Sequence, residues 1–121
     1  MLILNIFYLR HSYCINRIIM KTIQMVHGTL KIIKPESELN LLEIEKEIRG
    51  SSAVSEILLD LSGLDYINSA FIGLLLRIKN SDPSLFGKIR LVNPNEVVSQ
   101  MLNITQLDQV LEIQKIYPTV W

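Results

Sequence analysis

The spacing of apolar and polar residues along the chain predicts alternating strands and helices. Two short β-prone runs flank His27 and Gly28, which indicates a hairpin, since glycine takes the backbone angles that tight turns require. Further along, some apolar residues recur at helical spacing and others form runs of strand length. In chain order, the predicted elements are strands 22–26 and 29–33, helix 40–50, strand 57–61, helix 69–80, strand 89–92, a helix opening at 93–96, and strand 110–113.

This order, β-β-α-β-α-β-α-β, predicts an α/β fold in which helices pack against a mixed β-sheet. The run 57–61 (ILLDL) is almost wholly apolar, which is typical of a central strand covered on both faces. We therefore expect this run to lie in the middle of the sheet.

Asparagine residues mark the predicted helix starts. Asn40 can cap the first helix, with Glu43 three residues later in a capping box. Asn68 is a good N-cap for the second helix. For the third helix we interpret Asn93 as the cap, followed by a first-turn proline and by Glu96 at the capping-box position.

The second predicted helix, 69–80, carries more apolar residues than one buried face needs. The two sets are Ile72, Leu75 and Leu76 on one side and Phe71, Leu74 and Ile78 on the other. Such a helix is either deeply buried or presents its second face to a partner. Gly73 lowers helix propensity, which suggests that a neighbouring element approaches closely there.

The first nineteen residues are interpreted as an appendage to a domain spanning 20–121, with Met20 as a second possible translation start. The apolar run 1–9 is short and follows no basic residue, so it is a poor signal peptide. The chain contains no run approaching the roughly 18 uninterrupted apolar residues of a spanning helix. We therefore expect a cytoplasmic protein whose residues 1–19 add a strand or helix, or remain mobile.

Composition excludes several classes of function. The chain has 121 residues, of which 49% are apolar and 20% charged, enough for one core. Basic and acidic residues number 12 each, so no global basic field favours nucleic acid. The single cysteine, Cys14, excludes an internal disulfide framework and a Cys-rich zinc site. We expect neither a metal nor a cofactor.

The net charge of zero conceals an asymmetry between the two parts of the chain. Residues 1–34 carry five basic residues and no acid, whereas five glutamates crowd between residues 36 and 47. These glutamates could form an acidic face for a basic partner. The alternative, which we favour, is the solvated side of one amphipathic helix.

Motifs that carry chemistry do not occur in the sequence. It has no phosphate-binding loop with its lysine, no dinucleotide-binding G-x-G-x-x-G and no H-E-x-x-H. His11 and Cys14 are close in sequence but lack an acid that could orient the imidazole. We therefore expect a protein that is not an enzyme.

The stretch 57–69 (ILLDLSGLDYINS) resembles the signature of STAS domains, the family of bacterial anti-sigma-factor antagonists. In that pattern a hydrophobic strand ends in Asp-Leu-Ser, and Asp-Ser-Ser-Gly-Leu-Gly then opens a helix, where this chain has 68–73 (NSAFIG). The segments 38–40 (ELN), 91–94 (LVNP) and 101–107 (MLNITQL) are similar to further blocks of the family in the same order. The resemblance covers about residues 22–113.

The resemblance implies a protein-binding module that regulates transcription. In the family, an anti-sigma factor that is also a serine kinase docks around the second helix and phosphorylates the serine after the motif's aspartate. That position is Ser69 here, and the phosphorylated form releases its partner. The implied partner-binding residues are Asn68, Ser69, Phe71, Ile72, Leu74 and Ile78.

The chain departs from the family pattern at several positions. Asn68 stands in place of the aspartate, Ala70 and Phe71 replace a small hydroxyl residue and a glycine, and Gln106 replaces a glycine. An alternative is therefore a phosphorylation-independent STAS scaffold in a stress-signalling or lipid/anion transport complex. A third hypothesis, a small enzyme or ligand binder, is disfavoured by the missing motifs. We expect a monomer or weak dimer.

Overall fold

The computed structural model describes residues 6–15, 18–36 and 41–114. The strands are β1 (Ile6–Ile15), β2 (Ile18–Met25), β3 (Gly28–Pro35), β4 (Glu56–Asp60), β5 (Ile89–Val92) and β6 (Glu112–Gln114). The helices are α1 (Leu41–Arg49), α2 (Ser69–Ser81), α3 (Pro83–Phe86) and α4 (Glu96–Ile104), and a 3-10 helix, Leu107–Gln109, precedes β6. The proposed cap at Asn40 lies outside the described residues.

The strands form one mixed sheet in the order β1-β2-β3-β4-β5-β6. The first three are antiparallel, and β3 to β6 run parallel. The α/β prediction of a mixed sheet with packed helices is therefore confirmed. The β2–β3 hairpin turns at Val26 and His27, and Gly28 has a φ of +140°, which glycine tolerates far better than other residues.

The structure adds a strand within the segment interpreted as an appendage. Of the three states considered for this segment, the structure shows a strand over its residues 6–15, where β1 pairs antiparallel with β2. The next strand, β2, begins at Ile18, two residues before Met20, and the Ile18 side chain is fully buried in the core. Whether the domain folds without residues 1–19 stays a prediction.

The main core lies between one face of the sheet and the helices. Strand residues that alternate toward this face meet the apolar sides of α1, α2 and α4, as the alternation of strands and the periodicity of helices require. This cluster includes Met20, Ile33, Leu59, Leu91, Ile44, Ile48, Leu75, Val98 and Leu102, each of them buried. A smaller cluster on the opposite face comprises Ile23, Leu30, Ile32, Leu58 and Val92.

Of the two alternatives for α2, deep burial or a second apolar face shown to a partner, the structure shows burial, so the predicted partner-binding role of Phe71, Leu74 and Ile78 has no exposed surface to act through. All three side chains are fully buried and belong to the main core. The reason is that α2 contacts both α1 and α3 while sharing this core with the sheet, so several of its faces are covered. These residues therefore stabilise the fold, and a partner that docks on the folded domain cannot contact them directly.

Two local expectations on the helices are also corrected. The N-cap of α4 is Asn95, whose side chain accepts a hydrogen bond from the Val98 amide, and Asn93 instead has left-handed backbone with φ of +55°. At Gly73, an added Cβ would meet only the flexible Arg77 side chain, at 3.7 Å. The close approach expected at this glycine is therefore not found among the described residues.

None of the helices in the described part of the chain has both the length and the apolar character needed to span a membrane.

Candidate functional site: the amino-terminal turn of α2

The candidate site lies where the parallel strands end. The carboxyl ends of parallel strands meet at the same edge of a sheet, and ligands of open α/β sheets commonly bind there. The loop from β4 to α2 and the loop from β5 to α4 both leave this edge. Ser69, the candidate phosphate acceptor, is the first residue of α2 and is exposed.

Asn68 caps α2, as predicted. Its side-chain oxygen accepts a hydrogen bond of 2.9 Å from the Phe71 amide, and its carbonyl oxygen accepts one of 3.2 Å from the Ile72 amide. A neutral amide therefore closes this helix start, where the family pattern has a carboxylate. Asn68 is itself half-buried, so only part of the capping side chain is accessible to solvent.

The loop before α2 is anchored to the core at several points. The Leu64 and Ile67 side chains are buried, while Asp65 and Tyr66 between them are exposed. At Gly63, an added Cβ would come within 2.7 Å of a backbone carbonyl oxygen at the end of β3, so only glycine fits without displacing that strand end. Asp65 and Tyr66 are thus exposed on a segment that buried residues hold in place on both sides.

A second asparagine ties this loop to α4. The side-chain nitrogen of Asn95 donates hydrogen bonds of 3.1 Å to the carbonyl oxygens of both Leu64 and Asp65. Its side-chain oxygen meanwhile accepts a 2.8 Å hydrogen bond from the Val98 amide. Sequence reasoning missed this contact, because the only local signal was an asparagine near a helix start.

The surface around Ser69 differs from the predicted partner-binding set. Of the predicted residues, Ser69 is exposed and Asn68 and Ile72 are half-buried, whereas the other three lie in the core. Leu76, which is 40% exposed, follows Ile72 by one helical turn. Ser69, Ile72 and Leu76 therefore share one outward stripe of α2, which we call the α2 stripe.

Tyr66 adds an aromatic side chain to the surface near the start of α2. It lies three residues before Ser69 and is 49% exposed. Sequence reasoning gave it no role, although tyrosine is enriched in protein interfaces relative to the rest of the surface.

Two acidic residues of α1, Glu45 and Glu47, are paired with basic residues of the same chain. Glu45 accepts hydrogen bonds from Arg77 on α2 at 2.7 Å and from Arg49 at 3.0 Å, and Glu47 pairs with Lys31 at 3.0 Å. The hydrogen bond from Arg77 lowers the pKa of Glu45 below its ordinary value, partial burial opposes this shift, and Arg49 adds to it. These pairs favour the solvated-helix interpretation over an acidic docking face.

Comparison with known proteins shows the family and the fold of this chain. Residues 14–121 match the STAS domain. A Thermotoga neapolitana protein named as a candidate anti-sigma factor antagonist is 41% identical over 66 residues, or 54% of this chain and 56% of that relative. A Thermotoga maritima protein with a corresponding name is 38% identical over 66 residues, with the same shares of the two chains. The chain thus spans about half the length of the curated relatives it matches.

Solved structures extend the likeness over most of the fold. The crystal structure of a candidate anti-sigma factor antagonist from Thermotoga maritima has a TM-score of 0.59 and 22% identity, and covers 89% of this chain and 87% of that one. The anti-sigma factor antagonist SpoIIAA in its unphosphorylated form has a TM-score of 0.60 and 16% identity, with coverage of 91% and 90%. At these identities the likeness shows the fold. Because the family match extends over most of the sequence and the sheet has the same fold, the chain belongs to the STAS-domain family and is similar to its anti-sigma factor antagonists.

Proposed function

We propose that this protein regulates transcription in the bacterial cytoplasm by binding an anti-sigma factor of the serine-kinase type, and that phosphorylation of Ser69 releases this partner. The observation that carries the proposal is the position of Ser69: it is exposed at the first position of a helix whose apolar side chains are mostly in the core. A modification there changes the surface without disturbing the packing beneath it.

The start of α2 suits a phosphate. The first amides of a helix have no partner within the helix, and the helix dipole favours negative charge at this end. The cap at Asn68 is neutral, so no carboxylate at that position repels the phosphate. Ala70 is small and exposed, and the Phe71 ring points into the core, so neither side chain crowds Ser69.

The same phosphate would oppose binding of the partner. The α2 stripe gives the partner apolar contact at Ile72 and Leu76 beside the Ser69 hydroxyl. A phosphoserine adds about −1.5 to −2 charges, which must lose water or face like charge once the surface is covered. The domain is then stable in both states while the complex is not, which is the requirement for a binding switch.

The test is phosphorylation of the purified chain by serine-kinase-type anti-sigma factors with ATP, starting with any encoded beside its gene. Peptide mass spectrometry should show one phosphate on Ser69, absent from Ser69→Ala. Ser62→Ala is the matched control, because Ser62 is an exposed serine in the same loop and should leave the signal unchanged. A phosphate found elsewhere, or on no residue with any such kinase, would contradict the proposal.

A second candidate function is a phosphorylation-independent STAS scaffold, in a stress-signalling or lipid/anion transport complex. The observation that favours it is Asn68, since the carboxylate of the family pattern is missing while the α2 stripe remains available. In this case the chain would bind its partner equally well with Ser69→Glu.

A further inference from the structure

We propose that Asn95 is a positioning residue for Ser69: it ties the start of α4 to the loop that presents Ser69, and so holds this loop in the geometry that a kinase or partner recognises. The inference rests on the proposed function for the role of Ser69, but the contact itself does not depend on that role. Its basis is the three hydrogen bonds that the Asn95 side chain makes.

The side chain of Asn95 does two tasks at once. Serine, threonine, aspartate and asparagine all cap helices by accepting from a first-turn amide. Of these four, only asparagine also has two N–H donors on the same group. Asn95 uses its oxygen for the Val98 amide and its nitrogen for two successive carbonyl oxygens, those of Leu64 and Asp65.

One of these carbonyls belongs to the buried Leu64, and the other, that of Asp65, lies in the exposed part of the loop. Buried side chains anchor the loop at Leu64 and again at Ile67, but Asp65 and Tyr66 between them are exposed. The bond to the Asp65 carbonyl is therefore a contact that holds the loop backbone next to Tyr66. Two residues after Tyr66 the chain reaches the Asn68 cap and then Ser69, so a change at Asp65 is transmitted along a short segment.

The test separates the capping bond of Asn95 to the Val98 amide from its two hydrogen bonds to the loop, which we call the loop tie. Asn95→Asp keeps an acceptor for the Val98 amide but directs a carboxylate at two carbonyl oxygens, and Asn95→Ser keeps the cap while losing the paired donors. Gln100→Glu is the matched control, because it adds the same charge as Asn95→Asp at an exposed position of α4. The readout is hydrogen exchange of single backbone amides, measured by NMR on the full chain.

In Asn95→Asp and Asn95→Ser we expect about tenfold faster exchange at the Leu64 and Phe71 amides, which bond within the loop and its cap. The Val98 and Ser99 amides, which bond to residue 95, should keep wild-type rates, as should every amide compared in Gln100→Glu. Unchanged rates at Leu64 and Phe71 in both variants, or equal losses at Val98 and Ser99, would overturn the proposal.

A kinase assay then connects the loop tie to Ser69. With a kinase that phosphorylates Ser69, Asn95→Asp should lower kcat/KM about tenfold through a raised KM, while Gln100→Glu leaves it unchanged. Wild-type kinetics for Asn95→Asp would overturn the positioning role. The two failures are distinguishable, because hydrogen exchange decides on the loop tie without any kinase, and absence of phosphorylation in the wild-type chain contradicts only the proposed function.

Discussion

Gln106 has left-handed backbone, with φ of +62° and ψ of +18°, directly before the 3-10 helix. For a residue with a Cβ, the left-handed conformation costs about 1–2 kcal/mol in conformational energy, whereas glycine adopts it readily. The family pattern has a glycine at this turn, so the chain carries strain where its relatives' pattern has none.

We therefore predict that Gln106→Gly raises the free energy of unfolding by about 1 kcal/mol, because the relief of strain exceeds the added entropy of the unfolded chain. Denaturant unfolding followed by circular dichroism measures it. Gln109→Gly, in the 3-10 helix three residues later and without a positive φ, should instead lower stability by up to about 1 kcal/mol. An equal loss in both variants would mean that the Gln106 backbone is not strained.

Among the described residues, Phe71 is the largest fully buried side chain. Phe71→Ala should lower the free energy of unfolding by about 3–5 kcal/mol, since a ring is removed from a packed core. Leu76→Ala on the same helix is the control, because Leu76 is 40% exposed and should cost less than about 1 kcal/mol. Denaturant titration measures the free energy of unfolding of both variants. A small decrease in Phe71→Ala would contradict its burial and support the surface role that the sequence suggested.

Individual site residues were predictable only where the signal is local. Asn68 was identified as a cap because a cap depends on the few residues that follow it. The burial of Phe71 was not predictable, because apolar spacing does not reveal that α3 and α1 cover the remaining sides of α2. The second role of Asn95 depends on a carbonyl pair thirty residues earlier in the chain, which no local pattern contains.

At the scale of elements, one ion pair joins α1 to α2. Glu45 on α1 accepts from Arg77 on α2, and this bond lowers the pKa of Glu45. A carboxyl whose pKa is lower in the folded than in the unfolded chain stabilises the fold above its unfolded pKa, and this contribution is lost as pH falls through the lowered value.

The expected result is that Glu45→Gln is less stable than wild type at neutral pH by about 0.5–1 kcal/mol, the size of partly exposed ion pairs. The difference should shrink as the pH falls below the ordinary range of a glutamate, and also at high salt. Unfolding curves measured across pH provide the check. A difference that stays constant from neutral to acid pH would show that the pair with Arg77 contributes no pH dependence.

The predicted start of the domain at Met20 falls inside β2, so shortened chains can test it. We expect a chain that begins at Met20 to unfold cooperatively, because the elements from β3 onward keep the sheet and helices together. It should be less stable than a chain beginning at Ile18 by about 1.5–3 kcal/mol, the worth of one buried isoleucine. Thermal unfolding of both chains measures this. A broad, non-cooperative transition in the chain from Met20 would show that the first nineteen residues complete the core.

Most elements after residue 20 were predictable because each carries its own period or cap. Among the described elements, β1, α3 and the 3-10 helix Leu107–Gln109 were not predicted, the first two for clear physical reasons. In β1, Arg10 and His11 interrupt the apolar run, so its pairing depends on β2 and not on its own pattern. The four residues of α3 are too few for a helical period to show, although Asp82 caps it through the Leu85 amide.

At the scale of the molecule, core packing and the proposed switch lie on different sides of one helix. The inner sides of α2 join the sheet, α1 and α3 in one core, while Ser69 and Leu76 face outward and Ile72 between them is half-buried against the core. A charge added at Ser69 therefore alters what the surface can bind and leaves the core intact. This separation is the physical basis of the proposed switch.

The central claim is that charge on Ser69 controls partner binding, and calorimetric titration against the purified anti-sigma factor kinase tests it most directly. Ser69→Ala should bind like the unphosphorylated wild type, and Ser69→Glu at least about tenfold more weakly, with unchanged thermal unfolding in both. Leu76→Ala should also weaken binding, by about 1–3 kcal/mol, as an interface anchor does. Wild-type affinity of Ser69→Glu for a partner that does bind the domain would contradict the account.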